Sequence, residues 1–349
     1  MTDLPIAKPY FRTTPEMHDM PALIAALDIG GTKMAACIAD ANGPRVRVVA
    51  PTLLSGGNDA VARQGLRMLE AACRHAGVDL AAVRDIGVSS AGPFEQRDGQ
   101  LAILPPNMCG GIANADDLPN DWTFIPLEAV LRERFDVIRI ANDCVAGLHG
   151  ERAFGAAQQQ PDSIYVTWST GIGFGLCVDG HVLQGKHGNA GHAGHMLMSE
   201  LSEALCGCGN RGDLEGMIAG RNLGNRVGRP LAEVFSAARA GNDEALDIVH
   251  DAARIFGRAL YNLTAILDTR CILVGGSVWR QNQDLLQPLV QAQVSSRYPV
   301  LTQGVTVQGA ALDELVTDMG ALAMVMPETW LGHWRSRRPW ESLVSLTLG

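Results

Sequence analysis

Short apolar runs that end on an acid or a glycine alternate along the chain with longer stretches of helical spacing. Leu23 to Leu27 predicts a strand running into Asp28-Ile29-Gly30-Gly31-Thr32-Lys33. Met34 to Ile38 continues extended, Asp40-Ala41-Asn42-Gly43 is a hairpin turn signal, and Arg45 to Leu53 reads as the next strand. From Ala60 to Ala76, Val61, Leu66, Leu69, Ala72 and Cys73 fall on one helical face. Ile86 to Ser90 is a strand closing in the Gly92-Pro93 turn. Pro126 to Phe135 fits a helix opened by proline, Val137 to Ala141 a strand leading to Asn142-Asp143, and Val145 to Phe154 a helix. In the second half, Ile164–Thr167 and Gly173–Val178 read as antiparallel strands around Gly171. Asn242 to Leu267 is a long helix with Val249, Ala252, Phe256 and Leu260 on its core face, and Cys271–Val274 runs into Gly275-Gly276. A strand-then-glycine theme in both halves suggests two related lobes, although glycine-ended strands alone are weak evidence.

Composition narrows the class without naming it. At 349 residues the chain can build two domains with substantial cores. A net charge of −9 gives no footprint for nucleic acid. No apolar run reaches the roughly 18 residues of a membrane span. The segment Met1 to Met20 is polar, broken by Pro5, Pro9 and Pro15, and lacks a signal-peptide core, so a flexible lead-in (residues 1–21) and a cytoplasmic location are expected. Of the eight cysteines most sit in apolar runs, where a free thiol behaves as a small hydrophobe; Cys206 and Cys208 stand apart.

The acids at strand ends carry the chemistry. In Asp28-Ile29-Gly30-Gly31-Thr32-Lys33 the glycines admit phosphate oxygens close to the backbone, Thr32 and Lys33 add donors, and Asp28 can hold Mg²⁺. The spacing matches neither a P-loop nor Gly-x-Gly-x-x-Gly, and a tight hairpin with an incidental acid would look the same. Ser169-Thr170-Gly171-Ile172-Gly173 is a second phosphate turn, or a structural hairpin. Asp143 suits a proton acceptor for a sugar hydroxyl during phosphoryl transfer, with Asn142 bonding a neighbouring hydroxyl. An Asn-Asp helix cap is the competing explanation.

Between His195 and Asp213 the chain supplies His, Cys206, Cys208 and Asp within 19 residues. That set can hold a tetrahedral Zn²⁺ and staple a glycine-rich loop with few apolar residues of its own. Two free thiols in a glycine-rich loop would read the same way.

Taken together, Asp-Ile-Gly-Gly-Thr-Lys (28–33), Ala-Gly-Pro (91–93), Pro-Asn (106–107), Asn-Asp (142–143), Ser-Thr-Gly-Ile-Gly (169–173), Ala-Gly-x-x-Gly-His (190–195), Cys-x-Cys-Gly-x-x-Gly-x-Leu-Glu (206–215) and Val-Gly-Gly-Ser (274–277) resemble the ROK family of sugar kinases and sugar-responsive repressors. The motifs stand in family order from Leu23 to Ala323. The resemblance implies an α/β, two-lobed actin-like ATPase (ribonuclease H-like) fold with ATP and sugar in an interlobe cleft. It places an N-terminal lobe over 22–140 plus about 318–349 and a C-terminal lobe with the zinc loop over 141–317. By the same likeness Asp143 is the catalytic base, and Asn107, Asn142, His192, His195 and Glu215 face the sugar. Asp28, Gly30, Gly31, Thr32, Lys33, Thr170 and Gly171 face phosphates and Mg²⁺, Gly275 and Gly276 the adenosine, and His195, Cys206, Cys208 and Asp213 the zinc. A homodimer or homotetramer is implied.

Two positions depart from the family pattern. His192 stands where a glutamate usually accepts bonds from the sugar, which removes a negative charge and questions plain glucose specificity. Asp213 stands where a third cysteine usually ligates zinc. The alternatives to an active kinase are a sugar-binding regulator and a catalytically altered kinase-like protein. About 20 residues precede the first motif strand, too few for a three-helix DNA-binding module. Two segments are left over. Residues 110–121 fit a surface loop or a pocket rim, and the Trp- and Arg-rich tail from Trp330 fits an oligomer contact or packing back onto its lobe.

Overall fold

The computed structural model describes residues 22–113 and 118–348. The expected lead-in lies outside the described residues. The chain divides into two compact units. One comprises the chain through Gln158 with Gln184–Asn189 and Glu314 onward; the other comprises Gln159–Leu183 and Ala190–Asp313.

The first unit is built on β1 (Leu23–Ile29), β2 (Lys33–Asp40), β3 (Gly43–Pro51), β4 (Val83–Ser90), β7 (Val137–Asn142) and β13 (Ser345–Thr347), with a small hairpin of β5 (Phe94–Arg97) and β6 (Gln100–Ile103) beside them. The sheet order is β13-β3-β2-β1-β4-β7. β1, β2 and β3 are antiparallel, whereas β1, β4 and β7 are parallel. Alternate β1 residues Leu23, Ala25, Leu27 and Ile29 join the apolar face of the helix Ala60–Ala76 in one core. The other sheet face is covered by the helix Val316–Val325, which is buried nearly all round.

In the second unit β8 (Ser163–Trp168), β9 (Ile172–Val178), β10 (His181–Val182), β11 (Cys271–Gly275) and β12 (Thr306–Gly309) form a sheet of order β10-β9-β8-β11-β12. Its first three strands are antiparallel and β8, β11 and β12 are parallel. Disregarding β13, both sheets therefore run third-second-first-fourth-fifth, so the lobes expected to be related share one topology. The helices Asp243–Leu267 and Ser277–Ser295 pack on this sheet, with Phe256 lying 4.5 Å from Trp168 and 6.3 Å from Trp279 between ring centres.

Several local expectations shift. The helix after β7 starts at Asp143 rather than Val145, because Asn142 caps it by accepting from Cys144 N–H. The helix at Leu127–Leu131 is shorter than its apolar pattern. Helices at Leu231–Arg239, Ser277–Ser295 and Val316–Val325 carry too much polar or all-round apolar sequence to show a clean 3.6-residue stripe. The stretch after Asn107 is tied down at its described ends. Asn120 accepts from Gly110 and Trp122 N–H and donates to Leu54 and Met108 carbonyls, and buried Trp122 donates to Gly56.

The tail packs back onto its own unit. Trp330, Trp334 and Trp340 are buried; Trp334 and Trp340 stack against Phe154 at 5.6 and 5.1 Å, and Trp334 Nε1 donates to the carbonyls of Asp40 and Ala41. Its tryptophans are thus buried within the unit.

One buried ion pair fastens this unit. Arg47 on β3 donates through Nε and Nη2 to both oxygens of Asp318, at 3.0 Å each, and through Nη1 to Ser345 Oγ at 2.9 Å. Both charges are almost fully buried. Removing Asp318 alone would leave a buried guanidinium uncompensated at a cost of about 3–5 kcal/mol. We therefore expect Asp318→Ala to lower the urea midpoint of the first unit strongly, and the paired Arg47→Met/Asp318→Leu change to restore most of it. Equal midpoints for the single variant and the wild type would contradict this.

Candidate active site

Strand register, rather than sequence proximity, gathers the acids. In the parallel ladder Asp28 stands opposite Ser89 and Ser89 opposite Ala141; one step on, Ile29, Ser90 and Asn142 are level. The carboxyl ends of β1, β4 and β7 therefore present Asp28 and Asp143 at one sheet edge, where open α/β sheets place ligands. Asp143 opens the helix Asp143–Ala153, and its Oδ1 accepts from Cys144 N–H at 2.8 Å. The helix dipole favours that carboxylate as an anion. Asn142 does cap this helix, with Oδ1 accepting from the same N–H at 3.0 Å.

Asp28 sits partly exposed on the face covered by the helix Val316–Val325. Its Oδ1 accepts from Ser89 Oγ at 2.7 Å, and the Thr317 hydroxyl lies near it. Burial, then the nearby charges of Asp318 and Asp143, push its pKa from 3.8 up to about 7 against the pull of these hydroxyls. Ser89, Thr317, Asp318 and Arg47 escaped the sequence reading. The signal was present as two polar residues inside the apolar run Leu315 to Val325, but the partner of Asp318 lies 271 residues away.

The turn between β1 and β2 closes through Gly30 N–H to the Lys33 carbonyl at 3.0 Å, and Thr52 bonds both Gly30 and Thr32. Thr32 and Lys33 are exposed. Asn107 leans over the turn so closely that a Cβ at Gly31 would collide with its amide. Glycine is needed here for that approach, since the backbone is not left-handed.

In the second unit Thr167 on β8 is level with Gly275 on β11, so the Ser169–Gly171 turn and the Gly275-Gly276 turn leave the same sheet edge. Gly276 has φ 86° and caps the helix Ser277–Ser295. Thr170 is exposed, and Gly171 lies against Glu215.

His195, Cys206, Cys208 and Asp213 converge with their ligand atoms within 4.8 Å of one another. His195 Nδ1 lies 3.3 Å from Asp213 Oδ2 and 3.6 Å from Cys206 Sγ, and Cys208 Sγ lies 3.5 Å from Asp213 Oδ2. Tetrahedral zinc with bonds of about 2.0–2.3 Å needs ligand atoms roughly 3.3–3.8 Å apart, so the donor set fits. Asp213 also caps the helix Leu214–Ile218, its Oδ1 accepting from Gly216 N–H at 2.7 Å. Burial raises the Asp213 pKa, but bonds from His195, Gly216 and both thiols outweigh it and hold the group below its ordinary value. Glu215 joins this cluster to the turn before β9, its Oε1 taking the Cys206 thiol at 3.3 Å and its Oε2 the Ile172 N–H at 2.9 Å. His192 precedes the short turn Ala193–His195, with its ring 6.1 Å from that of His195.

A model of the ROK family matches residues 24–327. The chain belongs to the ROK family. Over 284 residues it is 30% identical to a glucokinase from Aeropyrum pernix, covering 74% of this chain and 84% of that one. It is 32% identical over 260 residues to an N-acetylmannosamine kinase from Escherichia fergusonii, covering 72% and 82%. The crystal structure of a ROK hexokinase from Thermus thermophilus matches with a TM-score of 0.73 at 31% identity, covering 88% of this chain and 99% of that one. The paired sheets of this ROK protein are those of a two-lobed actin-like ATPase. Among the described residues no helix is long and apolar enough to cross a membrane.

Two measurements test this geometry. Asp28 binds a proton in the folded protein that the unfolded chain has already lost between about pH 4 and 7, so its contribution to stability is full below that window and lost as pH rises through it. Without divalent metal, Asp28→Asn should therefore melt a few degrees above the wild type at pH 8 and match it at pH 4; identical melting at pH 8 contradicts the shift. For the tetrad, elemental analysis should find about one zinc per chain, and Asp213→Ala should lose most of it. Full zinc retention in that variant would remove Asp213 from the ligand set.

Proposed function

We propose that this protein is an ATP-dependent sugar kinase that moves the γ-phosphoryl group of ATP to a hydroxyl of a hexose or hexose derivative, at O6. The observation that carries the reading is Asp143, placed in the first turn of a helix at the sheet edge that also presents Asp28. Membership of the ROK family and likeness to sugar kinases at 30–32% identity support it.

In this reading Asp143 accepts the proton of the attacking hydroxyl, which is a poor nucleophile until that proton is shared. It lies in the first turn of its helix, where the dipole interacts favourably with a negative charge. Asn107, Asn142, His192, His195 and Glu215 orient the sugar so that the hydroxyl meets phosphorus in line. Gly30, Gly31, Thr32 and Lys33, with Thr170 and Gly171, bind phosphate oxygens, and Gly275 and Gly276 leave room for the adenosine. Asp28 would hold Mg²⁺, directly or through water, and the bound ion supplies charge neutralisation on the transferred group. His195, Cys206, Cys208 and Asp213 would hold a structural zinc that fixes the loop carrying Glu215.

The structure constrains two of these roles. His195 turns Nδ1 toward the metal tetrad, which leaves its other ring nitrogen for the sugar. Glu215 already accepts from Ile172 and Cys206, so its sugar contact would be an added bond on a carboxylate held from behind. Replacement of a carboxylate by the imidazole of His192 favours a sugar derivative over plain glucose. All eight cysteines lie outside disulfides, seven of them buried, which agrees with a reducing cytoplasmic setting. A homodimer or homotetramer is the assembly we expect.

Asp143→Asn should lower sugar-dependent ADP release by at least about a thousandfold while ATP affinity stays within a few-fold of wild type. Near-normal turnover in that variant sinks the assignment. Across a panel of hexoses, N-acetylated hexosamines and rarer sugars with ATP and Mg²⁺, ADP release should rise for at least one. A flat response favours a sugar-binding regulator or an inactive relative.

A further inference from the structure

The helix Ser277–Ser295 is interrupted at Asn282, whose backbone leaves the helical range at φ −135° and ψ 20°. Residues 277–281 are therefore a short piece, bounded by Gly276 on one side and by the break on the other. Gly276 lies so close to the Trp168 carbonyl that a Cβ there would collide with it, and a Cβ at Gly220 would press on Val278. The Gly220 amide donates to the Ser169 carbonyl at 2.8 Å, so the piece packs beside the Ser169–Gly171 turn. A sharp interruption of a helix has a local cause. Here the Asn282 side chain turns back, and its Nδ2 donates to the Val278 carbonyl at 2.9 Å, the acceptor that a regular helix pairs with the amide of residue 282. Arg239, the last residue of the helix Leu231–Arg239, spans the break. Its Nη2 donates to the Gln281 carbonyl at 3.1 Å and to Asp284 Oδ1 at 2.7 Å. Its Nε donates to Asp284 Oδ2 at 3.0 Å, and its Nη1 to Asn282 Oδ1 at 3.2 Å.

We propose that Arg239 is a positioning residue for the nucleotide: it holds both sides of the break at Asn282 and so sets where the Gly275-Gly276 turn stands for the adenosine of ATP. An unbroken helix passes its axis to its first turn through successive backbone bonds. Across a break that chain of bonds is lost, and the piece ahead of it takes its position from whatever grips it. A guanidinium suits the task, because its planar fork takes a carboxylate with two parallel bonds and has donors left for other oxygens. An ion pair as exposed as Arg239–Asp284 contributes little to stability by itself. Two of the four bonds, however, go to Gln281 and Asn282, which a solvated ion pair does not need. Asn282 is buried, and its amide serves Arg239 through one atom and Val278 through the other, so break and bridge form one structure. This proposal rests on the adenosine role given to Gly275 and Gly276 above.

The test is the dissociation constant of Mg·ADP by titration calorimetry, measured beside the KM values for ATP and sugar, kcat and the melting temperature. Arg239→Ala should weaken Mg·ADP and raise the ATP KM about tenfold, the effect of one lost charge-assisted bond, with the sugar KM and the kcat at saturating ATP unchanged. Arg239→Lys keeps the charge without the fork, so it should restore only part of the affinity. Asn282→Ala removes the other half of the bridge and should weaken Mg·ADP as Arg239→Ala does, which covers the case that the arginine variant does not fold. Wild-type Mg·ADP affinity in Arg239→Ala or Asn282→Ala overturns the proposal. So does a lysine variant that matches the wild type, since charge alone would then suffice. A rise in sugar KM as large as that in ATP KM, with lost thermal stability, overturns it too, because it marks a general loosening of the second unit. The two levels separate cleanly. If the wild-type chain binds no Mg·ADP, the ATP-dependent reading itself fails; if the wild type binds it and Arg239→Ala binds it equally well, only the positioning role fails.

Discussion

Everything at the first unit's sheet edge depends on how closely the helix Val316–Val325 approaches the backbone on either side. Gly87 lets the helix lie on β4, and Gly320 lets it lie against the helix that starts at Asp143. A methyl group at either glycine would meet a carbonyl oxygen, and the displaced helix would carry Thr317 and Asp318 with it. Backbone groups do not yield as flexible side chains do, so these contacts fix a register rather than adding a little burial. Asp28 and Asp143 inherit their relation from it. One lies on the strand that the helix covers; the other begins an element packed against it.

The second unit solves a different problem with different means. Its glycine-rich loop from Met196 to Gly212 exposes Leu197, Leu201 and Leu205 and has little core of its own. His195, Cys206, Cys208 and Asp213 converge there instead, with side-chain contacts of 3.3 to 3.6 Å. Asp213 has two oxygens: Oδ1 takes the cap amide of Gly216 and Oδ2 faces His195 and Cys208. Glu215 links this cluster to the turn before β9, because one carboxylate bridges Cys206 and the amide of Ile172.

Much of this was legible in the chain. The strand around Leu23–Leu27, the hairpin at Asn42-Gly43, the long helix ending at Leu267 and the strand into Gly275 follow from periodicity and turn chemistry, which are local. The convergence of His195, Cys206, Cys208 and Asp213 was legible for the same reason, since they fall within 19 residues and stand on one loop. Arg47 and Asp318 were not. Asp318 is a single charge in an apolar run and Arg47 alternates with valines beside Arg45, and nothing local says which distant charge completes either. Thr317 was hidden similarly, because a lone threonine in a helix usually reads as neutral. The short helix at Leu127–Leu131 and the early start at Asp143 show the remaining gap. Element ends are decided by caps such as Asn142, a contact of two hydrogen-bonding atoms that competes with any periodic pattern.

Asp28 shows why these long-range contacts gather where they do. A carboxylate placed beside Asp318 and Asp143 and partly withdrawn from water is costly to ionise. Two hydroxyls and a guanidinium that absorbs the charge of Asp318 reduce that cost without removing it. A cation arriving at the open side of Asp28 would offset the remainder. The same desolvation that makes the apo carboxylate hard to ionise would then strengthen its attraction for the ion, because the local dielectric is low. A fully solvated acid would be easier to ionise and would hold a metal less firmly. The buried Arg47–Asp318 pair belongs to this arrangement: without the guanidinium, Asp28 would face a second unscreened carboxylate, and the edge of the sheet could not keep two anions in place.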